Sequence, residues 1–363
     1  VSAQAQTDAA AGQPVPAEDS ASADAAATPP DRPAAPRPSA EAHRRARLSR
    51  LAGAALAIWV LYAAVVAAVP DAADARTAST TPLLALVGAW LVALGVWTAV
   101  ALVRPGTSAA GALAHRLPWI IFFGAWFIVW QLTTVKSGLL DPPYFVAPEV
   151  LIEAFLGDWT LLARCLGSSA LLFLTGYAVG SVLGFVTGLL MGWSRRADYW
   201  LHPLLQTVGP VPAASLLPLA VLILPTTYTS AAFIVAFGAW FPMATMTRAG
   251  VHAVPRSYFD VARTLGAGES FLVRRIAIPA ALPEMLTGLF TGLGTSLAAL
   301  MTAELVGVDQ GLAWYINWVK GWADYPRMYV GLAVLIIFCR ALMILLFKLR
   351  SSLLAWQQNL VRW

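Results

Sequence analysis

The sequence predicts an all-α integral membrane protein with eight transmembrane helices. Three observations predict it. Hydrophobic residues make up 59% of the chain and charged residues only 12%, far from the usage of a soluble domain. The apolar residues gather in blocks of roughly 20, the length of helix that crosses the hydrocarbon core of a bilayer. Arginines fall mostly in alternate gaps between those blocks, as they do when one set of loops stays in the cytoplasm.

Residues 1–43 are rich in Ala, Pro, Ser, Asp and Glu and hold no aromatic residue, Ile or Leu. Such a segment cannot bury enough apolar surface to offset its ordering entropy, so it reads as a disordered cytoplasmic tail. The first apolar block begins after position 50, too far in for a secretory leader. Spans are expected at 51–69, 82–103, 118–135, 168–193, 204–224, 229–247, 284–306 and 328–347. The first two are rich in Ala and Val and read as a two-helix membrane extension over 44–117, ahead of a six-helix core over 118–363.

If these spans alternate, one side collects Arg44, Arg45, Arg47, Arg50, Arg104, Arg116, Arg195, Arg196, Arg248, Arg256, Arg263, Arg274, Arg275, Lys348, Arg350 and Arg362. The other side holds only Arg76, Lys136, Arg164, Lys320 and Arg327. The asymmetry predicts that both termini are cytoplasmic. The net charge of +5 is thus a set of span flanks rather than a nucleic-acid footprint. Cys165 and Cys339 sit in or beside different spans, and His43, His115, His202 and His252 are scattered, so no disulfide framework or metal site is expected. There is no G-x-x-x-x-G-K-[ST] phosphate loop, and none of the lysines follows a glycine. No catalytic constellation is visible, so the chain is read as a non-enzyme that holds no cofactor of its own.

The fourth span places Gly176, Gly180, Gly184, Gly188 and Gly192 at strict four-residue spacing on one helix face. Such a face lets backbones approach closely in lipid, whether for static packing or for sliding. The fifth span is crowded with Pro203, Pro210, Pro212, Pro218 and Pro225, each able to kink a helix. Irregular backbone at membrane depth persists only where protein or a water-filled cavity covers it. The seventh span is the most polar, with Thr287, Thr291, Thr295, Ser296, Thr302 and Glu304. Thr291, Thr295, Ser296, Thr302 and Glu304 are the candidate lining of a translocation pathway. Glu304 suits a gate, a partner for Arg327, or the water interface alike. Trp314, Tyr315, Trp318, Trp322, Tyr325 and Tyr329 suit an aromatic belt, or a docking platform for an external protein.

Between spans six and seven, residues 250–284 read as a helical hairpin outside the membrane. Ser257 and Asp260 have capping-box spacing. Val254, Tyr258, Val261 and Leu265 repeat at helical spacing, and Gly266 suits a left-handed cap. A second segment over 269–278 carries Arg274 and Arg275 and is expected to stop at Pro279, with Pro283 opening the next span. A membrane protein needs such an object when something outside the membrane must grip it.

The run DVARTLGA at 260–267, followed by IPAALP at 278–283, resembles the EAA-loop signature of ABC-importer permeases, roughly E-A-A-x-x-x-G, a spacer, then I-x-L-P. Asp260 stands where that signature has Glu, and Val261 where it has its first Ala. YFVAPEV at 144–150, PVPAASLLPL at 210–219 and AELVG at 303–307 resemble the nitrate/sulfonate/taurine-type permeases in particular. The resemblance implies two permease subunits forming the pathway, separate cytoplasmic ATPase subunits that bind ATP and Mg, and an extracytoplasmic substrate-binding protein, in a bacterial plasma membrane. It implies that Ser257, Asp260, Ala262, Arg263, Leu265 and Gly266 couple to the ATPase. It implies a small anion as cargo, such as nitrate, a sulfonate or taurine, or a related organic solute. The competing reading is an ion-coupled secondary transporter or channel without an ATPase, although no internal repeat supports it.

Overall fold

The computed structural model describes residues 40–72, 78–104, 108–140 and 143–354. Residues 1–39, Arg76 and Arg362 lie outside them. Every regular element among the described residues is helical. Among the described residues, seven helices are long and apolar enough to cross a membrane, and a pair bent by 92° would be an eighth span if the chain crosses there.

Helix α1 (Ala40–Ala68) begins inside the stretch read as a tail. Helices α2 (Thr81–Val103) and α3 (Ser108–Gln131) follow, and a π turn (Leu132–Lys136) extends α3. α3, which the sequence places with the core, packs with α1 and α2. Leu48, Ala55, Leu94, Leu113 and Leu117 form a buried cluster between them, and Trp59 Nε1 donates to the Ile120 carbonyl at 3.1 Å. Lys136 Nζ donates to the Val66 carbonyl at 3.2 Å and pairs with Asp71 at 2.7 Å, a cation placed at the negative end of α1. The unit joins the rest of the chain where Trp130 Nε1 donates to the Val146 carbonyl at 3.0 Å and Gln131 Nε2 to Glu149 at 3.2 Å.

Helix α4 (Pro148–Trp193) is 46 residues long, well beyond the span expected from 168. Glu153, Asp158 and Arg164 lower the hydropathy of its first part, but such residues do not break a helix. The fifth expected span is not one helix. It is α5 (Arg195–Val208), a 3-10 turn (Ala213–Leu216) and α6 (Leu217–Ile223), turning sharply at residues 209–212. Pro210 and Pro212 lack the N–H groups that would carry α5 onward. The Phe241 ring lies where a side chain at 209 would be, so only glycine fits there.

Helix α7 (Thr227–His252) opens with a capping box between Thr226 and Thr229 and is the central helix. It lies between α4 and α10 (Ile278–Gly307). The glycine face of α4 packs along it. A Cβ on Gly184 would stand 2.6 Å from the Trp240 carbonyl oxygen, one on Gly188 2.5 Å from that of Ala244, and one on Gly192 2.7 Å from Val251. Gly176 meets Ala232 and Val235, and Gly180 is tightest, against the Ala236 backbone. On the opposite side of α7, Gly288 meets Pro242 and Met243, and Gly292 meets Ala239. Helix α11 (Leu312–Gly321) is short, and α12 (Tyr325–Leu353) packs on α4 and α11.

Candidate functional site

The hairpin between α7 and α10 contains α8 (Arg256–Thr264), one turn of α-helix (α9, Glu269–Phe271) and a π turn (Leu272–Ala277). The expected capping box is not formed. Pro255 occupies the cap position and has no side-chain bond to give, so the helix starts at Arg256 and Ser257 lies inside its first turn. Pro255 sets this boundary because its φ of −58° already suits the entry to a helix. Asp260 is exposed and stands 4.0 Å from Arg263. The other end follows the sequence. Gly266 has φ +82°, its N–H donates to the Arg263 carbonyl at 2.9 Å, and the Ala267 N–H donates to that of Ala262 at 3.0 Å. This is a Schellman cap, which needs a residue without a Cβ penalty at its left-handed position.

Pro279 does not stop the second arm. The π turn stands directly before it, and helix continues through Pro279 and Pro283 into α10. A π turn re-routes carbonyls that a proline would otherwise leave unpaired or clash with. Arg263 reaches Glu269 at 3.4 Å and ties the two arms together. Ala262 faces inward, while Tyr258, Val261 and Leu265 are exposed, Leu265 at 83%. They line an open groove of about 690 Å³ together with Arg275, Ile276 and Pro279. Apolar side chains held outward on a short polar helix form a surface to be covered. Phe259 points back to the bundle and meets Trp193 at the end of α4.

A cavity of about 490 Å³ lies where the α5–α6 turn faces α7 and α10. Pro210, Pro212, Phe237, Phe241 and Pro242 form much of its wall. Its polar side chains are Thr245, Thr291, Thr295 and Thr302, and none of its lining side chains is charged. Thr291, Thr295 and Thr302 are three of the five candidate pathway residues. Thr295 also donates to the Gly238 carbonyl at 2.6 Å, pinning α10 to α7. The two other candidates do not line this cavity. Ser296 is buried and donates to the Val235 carbonyl at 2.9 Å. Glu304 is buried beside Ser169 of α4 and does not meet Arg327, which pairs instead with Asp158 at 3.0 Å and Asp324 at 3.1 Å.

The sequence reading missed one contact at the hairpin end. Arg248 of α7 forks onto Asp198 of α5, with Nε–Oδ1 at 2.6 Å and Nη2–Oδ2 at 3.1 Å. The pair is about a quarter exposed. Charge placement alone had assigned Arg248 to a span flank, and its partner lies 50 residues away in sequence. Among the described residues, no group of His, Cys, Asp and Glu could hold a metal ion.

Comparison with known proteins fits this geometry. A family model described as "Binding-protein-dependent transport system inner membrane component" matches residues 180–356, from the glycine face of α4 to just beyond the end of α12. A putative aliphatic sulfonates transport permease protein of Bacillus subtilis (strain 168) is 26% identical over 259 residues, covering 70% of this chain and 92% of that protein. A nitrate import permease protein of Synechococcus elongatus is 26% identical over 176 residues, covering 46% of this chain and 63% of that protein. An inward-facing structure of the MetNI methionine ABC transporter aligns with a TM-score of 0.48 at 19% identity, covering 54% of this chain and 98% of that one. Such permeases are not themselves enzymes, since the ATPase is a separate subunit. Residues 180–356 therefore match the binding-protein-dependent inner membrane components, and this match and the permease relatives together support a permease subunit of an ABC importer.

Proposed function

We propose that this chain forms the translocation pathway for a small solute, an anion such as a sulfonate, taurine or nitrate. One observation carries the reading. The cavity walls α7 and α10 are the two helices that the hairpin α8–α9 joins. Any displacement of the hairpin is passed by chain continuity to both walls. ATP and Mg bound on a cytoplasmic ATPase subunit would supply that displacement, with the exposed face of α8 as its grip. Two copies of the chain enclose the pathway, and an external binding protein delivers the solute at the end away from the hairpin. Both chain termini and the hairpin lie in the cytoplasm of a bacterial cell whose plasma membrane the helices cross.

No charged side chain lines the cavity, so the cavity offers an anion no counter-charge. Recognition of charge then falls to the external protein, and the permease supplies a hydroxyl-bearing apolar passage. The relatives' names support a small anion, namely aliphatic sulfonates in one and nitrate in another. The test is uptake into proteoliposomes that carry the permease, its ATPase and its binding protein, with taurine, ethanesulfonate and nitrate as cargo. Uptake is expected to require ATP and to follow the preference of the binding protein. Uptake driven by an ion gradient without the ATPase would favour the secondary-transporter reading instead.

A further inference from the structure

Helix α10 presents two different faces near the end away from the hairpin. Thr302 lines the cavity, whereas Glu304 turns into the protein and is 0% exposed. A buried carboxylate is costly unless hydrogen bonds replace its water. Here they come from two other helices. Ser169 Oγ of α4 donates to Glu304 Oε1, and the Ala313 N–H of α11 donates to Oε2 at 2.8 Å. The Leu312 N–H in turn donates to Ser169 Oγ at 2.8 Å. The first two amides of α11 thus end on one serine and one carboxylate, at the helix terminus that favours negative charge. Gly311 makes room for this, because a Cβ there would run into the Glu304 carboxyl group.

The other face of α11 is fixed separately. Tyr315 Oη donates to Asp158 Oδ2 of α4 at 2.8 Å, and Asp158 also pairs with Arg327 of α12. α11 therefore has two polar ties to α4 and one polar tie to α10, through Glu304.

We propose that Glu304 is a positioning residue that makes α11 and the adjoining end of α10 move together, so that a load on the α11 face reaches the cavity wall at Thr302. The proposal rests on the importer reading above, in which the external binding protein docks at that end. A carboxylate suits the task because its two oxygens accept from two helices at once. Gln would keep the size but offer one acceptor oxygen and turn an N–H₂ towards Ser169. The serine hydroxyl would then lose its acceptor.

The experiment measures ATP hydrolysis by the complete reconstituted transporter, over a range of binding-protein concentrations, for wild type, Glu304→Gln and Ser169→Ala. The expected result is a maximal stimulation lowered by about fivefold, the effect of losing one ordinary buried hydrogen bond. Basal hydrolysis and the half-saturating binding-protein concentration stay unchanged, which a merely structural defect would not allow. Ser169→Ala removes a single hydroxyl and serves where Glu304→Gln fails to accumulate. Undiminished stimulation in an accumulated variant, or basal and stimulated rates falling in parallel, overturns the proposal alone. A wild-type complex that hydrolyses no ATP overturns the importer reading and the proposal with it.

Discussion

Phe259 of the hairpin meets Trp193 edge to face, with ring centroids 5.7 Å apart and planes at 70°. Trp193 is the last residue of α4, whose glycine face lies against α7. The pair is therefore a second route from hairpin to bundle, besides the chain itself. Such pairs contribute about 0.5–1.5 kcal/mol beyond their buried area. Phe259→Ala is expected to leave the ATPase subunit bound, because Tyr258, Val261 and Leu265 still offer the proposed grip, while ATP-driven uptake falls. The check is co-purification beside uptake. If the ATPase is lost in step with uptake, Phe259 belongs to the grip and not to the linkage.

The left-handed cap of α8 gives a sharper contrast. Gly266→Val places a β-branched side chain at φ +82°, and a left-handed residue costs an L side chain about 1–2 kcal/mol or more. α8 is too short to hold its shape without that cap. The variant is expected to insert and accumulate, but to lose the ATPase on purification. Ser257→Ala is expected to change nothing in the helix, since Ser257 caps no amide. Equal loss in both variants would contradict the structure of the hairpin.

The glycine face of α4 can be tested against its own helix. At Gly180 a Cβ meets the Ala236 backbone, which cannot rotate away, whereas at Gly167 nothing stands within 4 Å. Gly180→Ala is expected to lower thermal stability by about 1–3 kcal/mol, the usual cost of overpacking. Gly167→Ala is expected to be neutral or to gain a few tenths up to about 1 kcal/mol, because Ala is the better helix former. Thermal unfolding of the purified permease reads both. Indistinguishable shifts would mean that α4 and α7 are not in close contact.

Hydropathy made the candidate spans legible, since seven helices and one bent pair stand where the eight expected spans fall. The sharp bend at 209–212 was readable only as a surplus of prolines, because proline marks where a helix fails and not which way the chain then turns. The length of α4 was hidden by Glu153, Asp158 and Arg164, which lower hydropathy without ending a helix. The hydroxyl stripe of α10 pointed to the cavity at Thr291, Thr295 and Thr302. Its next acid, Glu304, did not, because helical phase turns position 304 to the side of Ser169. Tertiary partners such as Arg248 and Asp198 leave no local mark at all.

Orientation yields to a labelling experiment, because the fold puts Ser79 and Ser257 at opposite ends of the bundle. Ser79 follows α1 at the end where Lys136 closes that helix, and Ser257 lies on the hairpin, and both are exposed. The structure thus predicts that the two face opposite sides if the bent pair is a full span, while charge predicts which side is which. Arg195, Arg196, Arg256, Arg274 and Arg275 all stand at the hairpin end, and loops rich in Lys and Arg are retained in the cytoplasm. In intact cells, Ser79→Cys is expected to react with a membrane-impermeant thiol reagent and Ser257→Cys to be protected until the cells are opened. Background should be low, because Cys165 is buried and Cys339 is partly buried in α12. Reversed labelling would invert the orientation. Reaction at both positions in intact cells would place an even number of crossings between them and contradict the bent pair as a full span.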